Sequence, residues 1–259
     1  MRKFLVILAQ LLIVALVLVY WQYGRLDANL FSRPALIVPR LAELWNHAVG
    51  LPPLWLQVAE TLSATIAGLL GGLTLGFVLG VVFAEFPLLR DACAPYFNAV
   101  NAVPRVAWVP VLTMVFGFGM ATKLIMSGLI VFLVVFFNVL DAATQAPERL
   151  LRNARVLGAS RWSRMRDVRM WVGLGALLAS LPNAVALALV GVVFAESLAA
   201  ESGLGALMFN ASHTGEARDL MISAVLLALI GVVLAAVAEL LRRVLALRLP
   251  PNIVGGGNE

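Results

Sequence analysis

Long apolar runs alternate with short polar stretches along this 259-residue chain. The first, Phe4 to Val19, follows Met1-Arg2-Lys3 and closes on Tyr20, Trp21 and Tyr23. Its length and aromatic edge predict a retained membrane-spanning helix; a cleaved leader would be shorter and end in a small-residue cleavage site. Further runs extend from Thr61 to Phe83, from Lys123 to Leu140, from Val172 to Ala195 and from Leu220 to Ala238. Between Ala92 and Gly119 the apolar pattern is interrupted by Pro95, Asn98, Asn101, Pro104 and Pro110. Irregular backbone at membrane depth is tolerated only when buried in protein or beside an aqueous cavity. The interrupted segment is read as the third of six spans, and the whole as an all-α integral membrane protein.

Spacing within the spans adds detail. Gly68, Gly72, Gly76 and Gly80 stand four apart along one helix face, where absent side chains let a second helix approach closely. They are expected to form a tight seam. Arg105 lies about thirteen residues into the third span, roughly 20 Å along an ideal helix, and an arginine at that depth is a functional candidate by default. With Asn101 and Pro104 it marks a candidate translocation pathway, unless the span begins late and Arg105 reaches the inner headgroups. Pro182 predicts a kink in the fifth span. Outside the membrane, Pro39 to Val49 is amphipathic, fit for the outer surface or for packing as a connector. Gly117-Phe118-Gly119 is expected as a tight outer turn, and Glu196 to Asp219 as an outer loop.

Composition narrows the function. The chain is 62% hydrophobic and 13% charged, whereas about a quarter of a globular chain is charged. Six spans with both termini inside put thirteen Lys and Arg on inner segments and five on outer ones, the asymmetry of a membrane orientation. The net charge of +5 therefore speaks of the bilayer, with lipid as a partner, and not of nucleic acid. Cys93 is a lone cysteine, and His47 and His213 are isolated, so no disulfide and no metal site is expected. No Gly-Lys pair occurs, which excludes a phosphate-binding loop. No span carries a nucleophile–base pair either, so an enzyme is not expected. The densest charge lies from Asp141 to Trp171, with Arg149, Arg152, Arg155, Arg161, Arg164, Arg166 and Arg169 against Glu148 and Asp167. Within it Pro147 can open a helix. Leu150, Leu151, Ala154 and Leu157 recur at near-helical spacing, and Gly158 is placed to end it.

At this basic loop the chain resembles the inner-membrane permease subunits of bacterial binding-protein-dependent ABC importers. Their hallmark is Glu-Ala-Ala, three residues, Gly, nine residues, Ile-x-Leu-Pro. With the glycine at Gly158, the first triplet falls on Arg152-Asn153-Ala154 and the last four on Val168 to Trp171, so Ala154 and Gly158 match strictly. The core Leu157-Gly158-Ala159-Ser160 is similar to the family. So are Pro104, Ala107, Pro110, Phe116, Gly117, Gly119 and Lys123 in the third span and its turn, and Glu196 with Gly203-Leu204-Gly205 beyond the fifth. Together they point to the nitrate/sulfonate/taurine branch over roughly Pro39 to Arg243. Trp171, Gly175 and Ser180-Leu181-Pro182 depart from the branch, which carries prolines and a Gly-Leu-Arg there.

The resemblance implies a permease subunit of an ATP-driven importer, translocating a small anionic solute in the bacterial inner membrane. It implies a cytoplasmic ATPase subunit that holds the ATP, a periplasmic solute-binding protein and a second permease copy. Residues 1–56 would form the first span and a periplasmic connector, 57–245 the permease core and 246–259 a cytoplasmic tail. Leu150, Leu151, Ala154, Arg155, Leu157, Gly158, Ala159 and Ser160 would form the coupling helix and its cap, pressed into the ATPase, and Glu196 would face the binding protein. An ion-coupled secondary transporter is the alternative, but it needs mid-span carboxylates, and Asp141 and Glu196 stand at span ends.

Overall fold

A computed structural model describes residues 2–24, 32–46, 52–199 and 202–247. Arg25, His47, Arg248, the end of the expected Pro39–Val49 helix and the tail from 248 to 259 lie outside the described residues. Among the described residues the regular elements are helices: α1 (Arg2–Tyr23), α2 (Pro34–Asn46), α3 (Leu54–Glu85), α4 (Pro87–Ala102), a 3-10 turn (Arg105–Ala107) and α5 (Trp108–Phe116). They continue as α6 (Met120–Thr144), α7 (Glu148–Val156), α8 (Arg161–Ala199), α9 (Leu204–Thr214) and α10 (Ala217–Ala246). Four of them, α3, α6, α8 and α10, are long and apolar enough to cross a membrane; α4 with the turn and α5 make a fifth if that bent pair is one span. α1 coincides with the first apolar run.

The centre is a three-helix layer. α3 runs parallel to α6, α8 runs antiparallel to both, and each packs on the other two. Val81, Val131, Val135, Val139, Ala184 and Ala188 form its buried middle. In lipid, apolar contact with a neighbouring helix gains nothing over contact with acyl chains, so close packing of small and branched side chains has to hold such a layer. α10 and α9 lie beyond α8, and α5 packs on α6 and α8. α4 is held by Phe97, whose ring lies 4.6 Å from that of Phe136 and 5.6 Å from that of Phe83.

The interrupted segment is more regular than its prolines suggest. α4 continues through Pro95 to Ala102, and the break is confined to one place, where the chain bends by 91°. Its cause is local: a proline excludes helical backbone in the residue before it, and Val103, before Pro104, is extended at φ −71°, ψ 130°. The stretch from Glu196 to Asp219, expected as a loop, is also mostly helical. Glu196 belongs to α8, and α9 packs between α8 and α10. The amphipathic stretch at Pro39 is a packed connector: Leu44 is buried with Leu54, Leu204, Leu207 and Ile222. Arg40 Nε and Nη2 donate to Asp219 Oδ1 and Oδ2, both at 2.8 Å, tying α2 to the start of α10.

Candidate functional site

Three features of the central layer bear on function: its seam and the charged clusters at its two ends. Along the seam, Gly68, Gly72, Gly76 and Gly80 all face α6. A Cβ at Gly72 would stand 2.7 Å from Gly128 O and from Val131 Cβ; one at Gly76 would stand 2.9 Å from Val135 Cβ. At Gly68 and Gly80 the same atom would meet Ser127 and Val139. A Cβ on Gly191 of α8 would likewise stand 2.9 Å from Ser127 Cα. The three helices are therefore fixed in register at backbone distance.

At the end expected to face outward, Lys123 opens α6 with its side chain only 2% exposed. Its Nζ lies 3.3 Å from Glu196 Oε1 and 3.1 Å from Glu60 Oε2, and donates to Ser202 O at 2.8 Å. Glu196, 0% exposed, also accepts from Thr61 Oγ1 at 2.9 Å and from the Gly205 N–H at 2.9 Å. Gly203 has φ +111°, and a Cβ there would lie 2.1 Å from Glu196 Oε1. One cluster thus joins α3, α6, α8 and the entry to α9. This corrects the expectation that Glu196 faces a binding protein: it has no surface to offer and instead anchors the turn that presents α9. Lys123, the first residue of its apolar run, is likewise interior. Removing one partner of a buried ion pair costs roughly 3–5 kcal/mol, because the other is left uncompensated. Lys123→Met should therefore lower the thermal stability of detergent-purified protein strongly, and adding Glu196→Gln should return part of it. Additive losses in the double variant would show that the pair is not coupled.

At the opposite end, expected to face inward, Glu85 closes α3 and is buried. Arg164 Nη2 donates to its Oε1 at 2.8 Å and Arg169 Nε to its Oε2 at 2.7 Å. Arg169 also donates to Ala143 O near the end of α6. These are two of the seven loop arginines, and sequence reading did not single them out. About 37 Å of ideal helix separates Glu60 from Glu85, a length sufficient to span a hydrocarbon layer about 30 Å thick.

α7 projects from the inner end. Pro147 precedes it, Glu148 lies in its first turn and Arg155 in its last, charges that suit the helix dipole. It ends in a Schellman cap. The Ala159 N–H bonds Ala154 O at 2.9 Å, the Gly158 N–H bonds Arg155 O at 3.0 Å, and Gly158 takes φ +78°. Nothing lies within 4 Å of a Cβ there, so backbone conformation rather than crowding calls for glycine. Ser160 then accepts from the Ser163 N–H at 3.2 Å and caps the start of α8.

The apolar residues of α7 do not share one face. Leu157 is 85%, Val156 82% and Leu150 42% exposed, while Leu151 is only 6% exposed. Leu151 is turned into the chain's own body and cannot be pressed into a partner, a correction to the expected docking set. The rest of the set, Leu150, Ala154, Arg155 and Leu157, remains outward or partly outward. Asn101, Pro104 and Arg105 come together at the bend between α4 and α5, and all three are exposed. The Ala107 N–H bonds Pro104 O at 2.9 Å and closes the turn that carries Arg105.

Residues 72–250 match the family of binding-protein-dependent transport system inner membrane components. The chain is 35% identical over 234 residues to the riboflavin transport system permease protein RibX of Chloroflexus aurantiacus, covering 89% of this chain and 86% of that one. It is 28% identical over 200 residues to the taurine transport system permease protein TauC of Escherichia coli, covering 76% and 70%. Among solved structures, inward-facing MetNI, a methionine ABC transporter, shares the fold with a TM-score of 0.62 at 19% identity, over 74% of this chain and 96% of that one. Helix topology, the capped α7 and these likenesses agree: the chain belongs to the binding-protein-dependent transport system inner membrane components, as the multi-pass permease subunit of an ATP-driven importer whose ATPase is a separate polypeptide.

Proposed function

We propose that α7 docks on the cytoplasmic ATPase subunit and that a small anionic solute, released by a periplasmic binding protein, passes the bend at Arg105. The observation that carries this reading is the exposure of three large apolar side chains, Leu150, Val156 and Leu157, on and at the end of a short, otherwise polar helix. Apolar side chains so exposed on a polar element suit burial against a partner. Exposed Arg149, Arg152, Arg155 and Arg161 around them suit an apolar hollow with an acidic rim. ATP is bound by that partner and not by this chain.

In this reading α1 is the sixth span and both termini lie in the cytoplasm, as the excess of inner Lys and Arg supports. Residues 57–245 form the permease core and work as two copies surrounded by lipid. The surface of α9, held in place by Glu196, receives the binding protein. The choice of an anionic solute is supported by Arg105, exposed on the break, and by the likeness to a taurine permease.

Docking is tested by whether the ATPase co-purifies with permease carrying a charge at Leu157. The pathway is tested at Arg105. Arg105→Ala should cut uptake of an anionic solute about tenfold or more while leaving ATPase co-purification unchanged, since hydrogen bonds to charged groups contribute about 1.5–3 kcal/mol. Arg105→Lys should restore only part, because the planar two-donor fork is lost. Wild-type uptake by Arg105→Ala would place Arg105 at the headgroups instead.

A further inference from the structure

We propose that Glu85 is the positioning residue through which movement of α7 reaches the translocating helices. The proposal rests on the reading of α7 as the ATPase dock and adds the joint between dock and pathway. Both carboxylate oxygens of Glu85 are taken by arginines that follow α7 in the chain, Arg164 and Arg169. Each arginine has a second bond. Arg164 Nη1 donates at 3.3 Å to Ala159 O, the residue whose N–H closes the cap of α7. Arg169 Nη1 donates to Ala143 O on α6. One buried carboxylate thus links the α7 cap, the start of α8, and the inner ends of α3 and α6.

The backbone of α8 is shaped for this joint. In an α-helix, residues five apart are rotated by about 140° relative to one another, and Arg164 and Arg169 would diverge. Met165–Arg169 is instead π-helical, with the Met170 N–H bonded to Met165 O. Hydrogen bonds of i→i+5 widen the turn and bring residues five apart towards one face. Both guanidinium groups then reach the same acceptor. The other acidic group nearby, Asp167, is engaged separately by Arg166 and Ser163. Charge-assisted bonds to both oxygens are directional and resist sliding in a way that apolar contacts do not. Beyond the joint, the glycine seam fixes α3 against α6, so displacement of α7 is delivered to the layer that supports the α4–α5 bend.

Hydrogen–deuterium exchange on the complete transporter, permease with its ATPase, tests this without knowledge of the solute. Two regions are read with and without ATP plus vanadate: α7, and residues 103–107 at the bend. In the wild type, nucleotide should change exchange at both, by about fivefold or more, the scale of ordinary coupling between sites. In Glu85→Gln, α7 should still respond and ATP should still be hydrolysed, but the bend should stop responding. Glu85→Asp should recover part of the response. If Glu85→Gln does not assemble, Arg164→Gln, which leaves Arg169 on the carboxylate, is read the same way. The proposal is overturned if the bend responds normally in the variants, if α7 and bend lose their responses together, or if the wild-type bend is indifferent to nucleotide. Failure of α7 to be protected by the ATPase in the wild type would instead overturn the docking reading.

Discussion

Gly72→Leu and Gly76→Leu should each abolish most of the assembled permease. An added Cβ would sit within 3 Å of Gly128 O and Val131 at the first position, and of Val135 at the second. The obstacles include backbone atoms on a helix already locked to α8 through Gly191 and Ser127. A side-chain neighbour can rotate away, but a carbonyl on a packed helix moves only with the helix. Over-packing in cores costs about 1–3 kcal/mol, and a whole leucine against backbone should reach or exceed the top of that range. Gly71→Ala is the internal control, since no atom lies within 4 Å of a Cβ there, one residue along the same helix. Monodisperse yield after detergent extraction and thermal stability are the measurements. Wild-type values for Gly72→Leu and Gly76→Leu would refute the seam; equal losses at Gly71→Ala would point to general intolerance in α3.

Charge substitutions in α7 should separate into two kinds. Leu151→Asp puts a carboxylate into the chain's own interior, so the permease itself should be lost; even Leu151→Ala should cost about 2–5 kcal/mol. Leu157→Asp alters a residue that touches little of its own chain. It should insert, fold and purify like the wild type. Against the ATPase it removes an apolar anchor and adds an unpaired carboxylate, a loss of at least about 2 kcal/mol if Leu157 is a central contact, or roughly thirtyfold in affinity.

The distinction between these two leucines was only half legible in the sequence. Each residue of an α-helix turns the chain by about 100°, so Leu150, Ala154 and Leu157 fall on one stripe while Leu151 lies well to its side. Counting all four as one face overlooked that offset. The glycine seam could be read directly, because a four-residue spacing maps onto a helix face and the reason for glycine is the same wherever the partner lies. The partner, α6, could not be read, since any of several apolar helices would serve. The outer cluster was hidden for another reason. Glu60, Lys123 and Glu196 each stand at the end of an apolar run, where solvation and burial suit a charge equally well, and only the tertiary approach of α3, α6 and α8 decides. The inner cluster was hidden by number: seven arginines in one loop conceal the two that matter, and the π-helical turn shifts their facing away from α-helical expectation.

The most direct measurement is the amount of ATPase that stays with purified permease when Leu157 is changed to Asp. With α7 as the dock, permease yield and monodispersity should match the wild type while bound ATPase falls about tenfold or more, and ATP-dependent uptake into liposomes falls with it. A Leu157→Asp permease that keeps a full complement of ATPase and transports normally would contradict the central claim and leave the basic loop as an anchor that orients the chain in the membrane.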